Sequence, residues 1–124
     1  MASPFKSRNL DPRKRRFARK HEVNSTFHWH THEEEHFWIL EGKGDIRIGR
    51  RRVKIRGGDY VVFPPNGRAG HAIQNTGRST LKYLVIGTRE SGDVCVYPDS
   101  GKIAVGPLKK VGRLTVADYW DGEV

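Results

Sequence analysis

The sequence predicts an all-β fold, an antiparallel sandwich or barrel, on two observations. From residue 21 onward nearly every segment reads as a short strand, alternating apolar with polar residues or rich in β-branched and aromatic ones. The 14 glycines and 6 prolines are spread through the chain, and these residues turn a chain rather than extend it. At 124 residues there is length for one modest core and too little for two. Residues 1–20 are expected to form a basic, flexible N-terminal arm, and residues 21–124 the folded domain.

Taken in order, the arm lacks periodicity and carries Pro4 and Pro12. Residues 23–30 have strand character, and residues 37–40 are an aromatic and β-branched run that stops at Gly42-Lys43-Gly44. Residues 45–49 and 53–56 alternate, with Arg50-Arg51-Arg52 as a tight connection between them. Gly57-Gly58 marks a turn, residues 60–63 a buried run, and Pro64-Pro65-Asn66-Gly67 a loop. Residues 71–75 alternate again, Asn75-Thr76-Gly77 turns the chain, and residues 81–86 form the most apolar strand. Beyond Tyr97, residues 113–116 offer one last strand.

Hydrophobic residues make up 35% and charged residues 30% of the chain, a balance that favours folding over disorder. No apolar run reaches the roughly 18 residues of a membrane span, and the N-terminus lacks the apolar core of a secretory signal, so a cytoplasmic location with no membrane partner is expected. The lone Cys95 has no internal partner for a disulfide and reads as a buried, inert thiol. The net charge of +9 is concentrated, with eight Lys or Arg in the first twenty residues and a second knot at Arg50-Arg51-Arg52, Lys54 and Arg56. Apart from Phe17, neither knot interleaves the aromatics of a single-strand stacking platform. A solvated arm is the plainer reading, and a phosphate-contacting arm, giving nucleic acid or another polyanion as partner, is the alternative.

The stretch from His28 to Trp38, HWHTHEEEHFW, carries the chemistry. Residues 32–36 spell H-E-x-x-H, which holds zinc only on a helix, where residues four apart share a face. Strand-forming residues flank the stretch on both sides, and only about two helical turns would fit before Gly42. A strand places His28 and His30 on one face instead, about 6 to 7 Å apart along the backbone. A turn over residues 31–34 then lets Glu35 open the next strand beside them, with Phe37 and Ile39 on its face. His32 falls in that turn, and His36 points the other way, with Trp38.

His28-x-His30, four residues, Glu35, six residues, Gly42 resembles the first motif of the cupins. Gly58, five residues, Pro64, Gly67, His71, three residues, Asn75 resembles the second. The two motifs in order, with a hairpin between, cover residues 22–90. The tail is similar to that of small bacterial monocupins described as uncharacterised or as candidate sugar-phosphate isomerases. The resemblance implies a cupin double-stranded β-helix, a jelly-roll barrel, holding one divalent metal (Mn, Fe, Ni, Co or Zn) on His28, His30, Glu35 and His71. Phe37, Ile39, Ile73 and Tyr83 share the inner faces and are expected to line a pocket for a small oxygenated molecule such as a sugar derivative, hydroxy acid or keto acid. No residue stands out as a dedicated catalytic base; Glu35, Tyr83 and Glu41 are the weak candidates. The resemblance leaves open a metal-dependent isomerase, dioxygenase or decarboxylase and a non-catalytic sensing module. The chain also has fewer strands upstream of the metal motif than the family usually has. A homodimer partner, or the arm, is therefore expected to cover an open barrel edge.

Overall fold

Alternation and turn chemistry produce the expected class. A computed structural model describes residues 26–124 and, before them, the backbone of β1 (Lys6–Ser7) and β2 (Phe17–Ala18). The remaining strands are β3 (Trp29–His30), β4 (Glu35–Glu41), β5 (Lys43–Ile48), β6 (Arg51–Arg56), β7 (Tyr60–Phe63), β8 (His71–Asn75), β9 (Leu81–Gly87), β10 (Val94–Tyr97), β11 (Lys102–Val105) and β12 (Lys110–Arg113). No helix occurs among the described residues, so the helical reading of residues 32–36 fails: Glu35 and His36 already belong to β4.

The strands form three antiparallel groups, in the orders β1-β9-β4-β7, β12-β11-β10-β3 and β6-β5-β8, with β2 also on β9. An isolated bridge between His28 and His71 joins the second group to the third, through His71 N to His28 O at 2.8 Å and His28 N to His71 O at 3.2 Å. His28 and His71, which belong to separate sequence motifs, are thereby neighbours across one bridge. The inward faces of β4, β5, β8 and β9 supply Phe37, Ile39, Ile46, Ile73, Leu81, Tyr83 and Val85, which with Ile55 make one buried cluster. Such burial stabilises by roughly 25 cal/mol per Å² of apolar surface removed from water. Gly42 ends β4 at φ 90, where a Cβ would sit 2.6 Å from the Thr80 carbonyl oxygen, so only glycine fits this corner.

Several boundaries differ from expectation. The β5–β6 connection is Gly49-Arg50, with Gly49 at φ 58; Arg51 and Arg52 are paired strand residues because glycine, not arginine, supplies the positive φ of a two-residue hairpin. Strand β11 had no clear signal, and the last strand is Lys110–Arg113 rather than residues 113–116. The turn closed by Lys109 N to Gly106 O sets Val105 opposite Lys110, and the pairing ends at Lys102 with Arg113. Of the expected strand over residues 23–30, residues 23–25 lie outside the described residues, as does most of the arm. The arm's two described pieces pair with β9, Lys6 opposite Gly87 and Phe17 opposite Lys82.

Candidate metal centre

Strand β3 is held on both sides, by the His28–His71 bridge and by β10, which sets Cys95 opposite His30. Two-residue periodicity sends His28 and His30 to the same side. The chain then turns over residues 31–34. The Asp93 carboxylate fastens that turn, its Oδ1 accepting from His32 N at 2.9 Å and Glu33 N at 3.1 Å. Glu34 N donates to Thr88 Oγ1 at 3.0 Å. Glu35 therefore enters β4 facing the two imidazoles.

Glu35 Oε2 is the meeting point. His71 Nε2 lies 2.9 Å from it, His28 Nε2 3.2 Å and His30 Nε2 3.4 Å. His30, Glu35 and His71 are buried, and the His28 side chain is 12% exposed. The His71 ring stacks on Phe63 with centroids 3.8 Å apart and planes 6° from parallel, and Phe37 meets it edge-on at 5.7 Å. Packing thus fixes the His71 plane.

The far sides of two rings fix their tautomers. His28 Nδ1 donates to the Thr26 carbonyl at 2.6 Å, and His30 Nδ1 donates to Asp93 Oδ2 at 2.6 Å. A carbonyl and a carboxylate only accept, so each ring keeps a proton on Nδ1 and, in its metal-binding neutral form, aims a bare Nε2 lone pair at Glu35. Lone pairs facing a carboxylate repel unless a positive charge lies among them. His30 Nε2 is buried and completes no hydrogen bond, as suits a metal-ligating nitrogen. Three imidazoles and one carboxylate are the donor set of a borderline divalent transition metal. The residues present fit the group that the resemblance implies.

The site's electrostatics follow from the same contacts. Burial would raise the Glu35 carboxyl, but the imidazoles of His28, His30 and His71 gathered around it hold it far below the usual carboxylate range. Burial would lower His30, but Glu35 and Asp93 push it up to about 9. His71 is lowered, chiefly by burial. Asp93 is depressed despite burial, because the His32 and Glu33 amides and His30 stabilise its charge.

The four expected ligands are therefore brought together, while the expected pocket wall takes a different place. Phe37 touches the site through His71, but Ile39, Ile73 and Tyr83 are 0%, 2% and 5% exposed inside the closed core. Inward-facing parity put them there, and the barrel is narrow enough for side chains to fill it. An open cavity of about 370 Å³ lies instead among Phe27, Arg47, Arg52, Gln74, Tyr97 and Lys102. Of the weak base candidates, Tyr83 is buried in that core and Glu41 is a surface residue 2.7 Å from Lys82. His32 is exposed, and His36 turns away to Tyr60 and Glu34.

Sequence reasoning missed Asp93 and Glu33. With His30 they form a second buried group whose ligand atoms lie within 4.8 Å of one another. No spacing pattern marks Asp93, which reaches His30 across 63 positions. Cys95 also approaches His28 and His30; burial pushes its thiol up to about 11, as suits an inert residue.

Known proteins agree with this architecture. The profile of the cupin domain matches residues 19–87, and the chain belongs to that family. A solved candidate sugar phosphate isomerase from Acidithiobacillus ferrooxidans is 31% identical with a TM-score of 0.73, over 82% of this chain and 68% of that one. An uncharacterised protein of Methanocaldococcus jannaschii is 35% identical over 71 residues, 57% of this chain and 48% of its own. An oxalate-binding protein of Thermotoga maritima is 37% identical over 59 residues, 48% of this chain and 47% of its own. The chain thus spans about half the length of the curated relatives it matches.

Proposed function

We propose that His28, His30, Glu35 and His71 hold one divalent transition metal, and that the chain uses it to bind a small oxygen-bearing molecule. The observation that carries this reading is the convergence of three imidazole Nε2 atoms on one Glu35 oxygen, two of the rings having their protons fixed on the far nitrogen. A bound metal would supply Lewis-acid polarisation of a ligand oxygen. The protein does the rest: Asp93 and the Thr26 carbonyl aim two rings, Phe63 and Phe37 clamp the third, and burial excludes bulk water.

The names of the relatives favour two ligand classes, a small dicarboxylate such as oxalate and a phosphorylated sugar. Both carry adjacent oxygens able to chelate an ion that keeps two positions open. Calorimetric titration of the metal-loaded chain with oxalate and with an aldose phosphate tests the reading. Binding of one class, absent in metal-free protein and in His71→Ala, is the expected result. Equal binding with and without metal would overturn it. Following the bound compound by proton NMR then separates an enzyme, which converts it, from a sensing module, which does not.

A further inference from the structure

The register across β6, β5 and β8 collects side chains on the outside of the barrel. Arg52 pairs with Arg47, and Arg47 with Ala72, so the three share one face of the sheet. Ala72 follows His71, whose side chain is buried against Glu35, and alternation sends the two to opposite faces. The row continues to Phe27, with Arg47 Cζ 3.6 Å over its ring centroid. Facing the row is the turn between β10 and β11, where Asp99 Oδ2 and Oδ1 accept from Arg47 at 2.7 and 3.1 Å. The open cavity of about 370 Å³ lies between row and turn, and its volume is that of a small-molecule site.

This cavity is separate from the metal centre. None of the four expected ligands lines it. Thr26 is in its wall, and the Thr26 carbonyl takes the Nδ1 proton of His28. The cavity therefore lies behind that ring, while the ligating Nε2 points away to Glu35.

Charge and shape define what the cavity can hold. Arg47 is a strut with every nitrogen engaged, its Nε donating to the Gly49 carbonyl at 3.2 Å and the other two to Asp99. Two further cations are not neutralised. Arg52 donates at 3.0 Å to Gln74 Oε1, a neutral acceptor, and Lys102 Nζ lies over the Tyr97 ring, 5.9 Å from its centroid. Neither has a carboxylate within ion-pair distance among the described residues. Arg47 and Asp99 balance each other, so the cavity keeps two positive charges. Its apolar wall is made by Phe27, Ala72 and Tyr97, and both rings are partly exposed. Two charges beside flat apolar walls match a phosphate monoester, close to a dianion at neutral pH, carried on an aromatic ring.

We infer that this cavity is a second ligand site, for a small aryl phosphate. Arg52 and Lys102 hold the phosphate, and the ring lies against Phe27, Ala72 and Tyr97. An aldose phosphate brings the charge without the ring and fits this site poorly.

Calorimetric titration of the metal-free, full-length chain with phenyl phosphate tests this, with inorganic phosphate as the charge-only control. One equivalent is expected to bind, about tenfold or more weakly in Arg52→Gln and in Lys102→Gln. Both side chains reach the surface, and an unchanged unfolding midpoint separates lost binding from lost fold. No binding at millimolar phenyl phosphate, or binding that both substitutions leave unchanged, overturns the inference. Inorganic phosphate that binds as tightly as phenyl phosphate marks an adventitious ion only, and overturns it as well. Amide NMR shifts then locate the ligand. They are expected at Ala72, Gln74 and Ser100; shifts confined to residues 28–35 or to residues 1–20 contradict the inference.

Discussion

Glu35 Oε2 lies 2.9 Å from Nε2 of His71, across 36 positions of sequence, and the same oxygen is within 3.4 Å of two further imidazoles. One carboxylate oxygen serving three rings is a poor hydrogen-bond arrangement and a good ligand set. Two rings have Nδ1 protons committed elsewhere, so a cation among the inward nitrogens, either a metal ion or the extra proton that His30 takes up below about pH 9, is what makes the arrangement favourable.

Asp93 is the residue whose removal should separate aiming from ligation. Its Oδ2 takes the His30 Nδ1 proton, while its Oδ1 fastens the turn between β3 and β4. Asp93→Asn keeps the shape and loses the charge. It is expected to weaken metal binding about ten- to a hundredfold, read by chelator competition, with one metal still bound at saturation. Unchanged affinity would reduce Asp93 to a turn residue.

The metal-free protein should show a pH dependence set by His30. Its folded value, about 9, is raised above the ordinary 6.5, so its contribution to stability is fully present below 6.5 and is lost as pH rises through about 9. A metal competes with that same proton. Apparent affinity from this site should therefore rise up to about tenfold per pH unit toward pH 9 and then level off. Isothermal titration across pH 6 to 10, run in buffers of different ionisation enthalpy, would count the proton released. An affinity that falls with rising pH over this range would contradict the assignment.

How much of this was legible in the sequence follows from which interactions are local. His28 and His30 could be placed because a strand repeats every two residues, and Glu35 because a turn resets that parity. The pairing of His28 with His71 followed only from the family's motif order. Asp93 was invisible because it acts from a loop closed across 63 positions, and one aspartate beside a glycine looks like any turn. Ile39, Ile73 and Tyr83 were rightly read as facing inward, but parity alone does not separate a packed interior from a cavity. The last strand was misplaced because residues 114–116 carry β-forming side chains that the β11 pairing does not use.

Gly87 tests the packing behind the site. It pairs with Glu35 in the ladder, and an added Cβ would collide with the Glu33 carboxylate, itself 4% exposed. Gly87→Ala should cost about 1–3 kcal/mol through forced displacement of a buried polar side chain. Denaturant unfolding of the metal-free chain would read it, with the reference substitution placed at exposed Gly112, where a Cβ meets nothing within 4 Å.

The most direct test of the central claim is metal content by mass spectrometry, on protein purified without an affinity tag or nickel resin. Wild type, Glu35→Ala and His71→Ala would be compared. About one equivalent of a divalent transition metal is expected in the wild type, and its loss from both variants, with the barrel still folded. A wild type that stays empty after incubation with each candidate metal, or a His71→Ala chain that keeps a full equivalent, would contradict that claim.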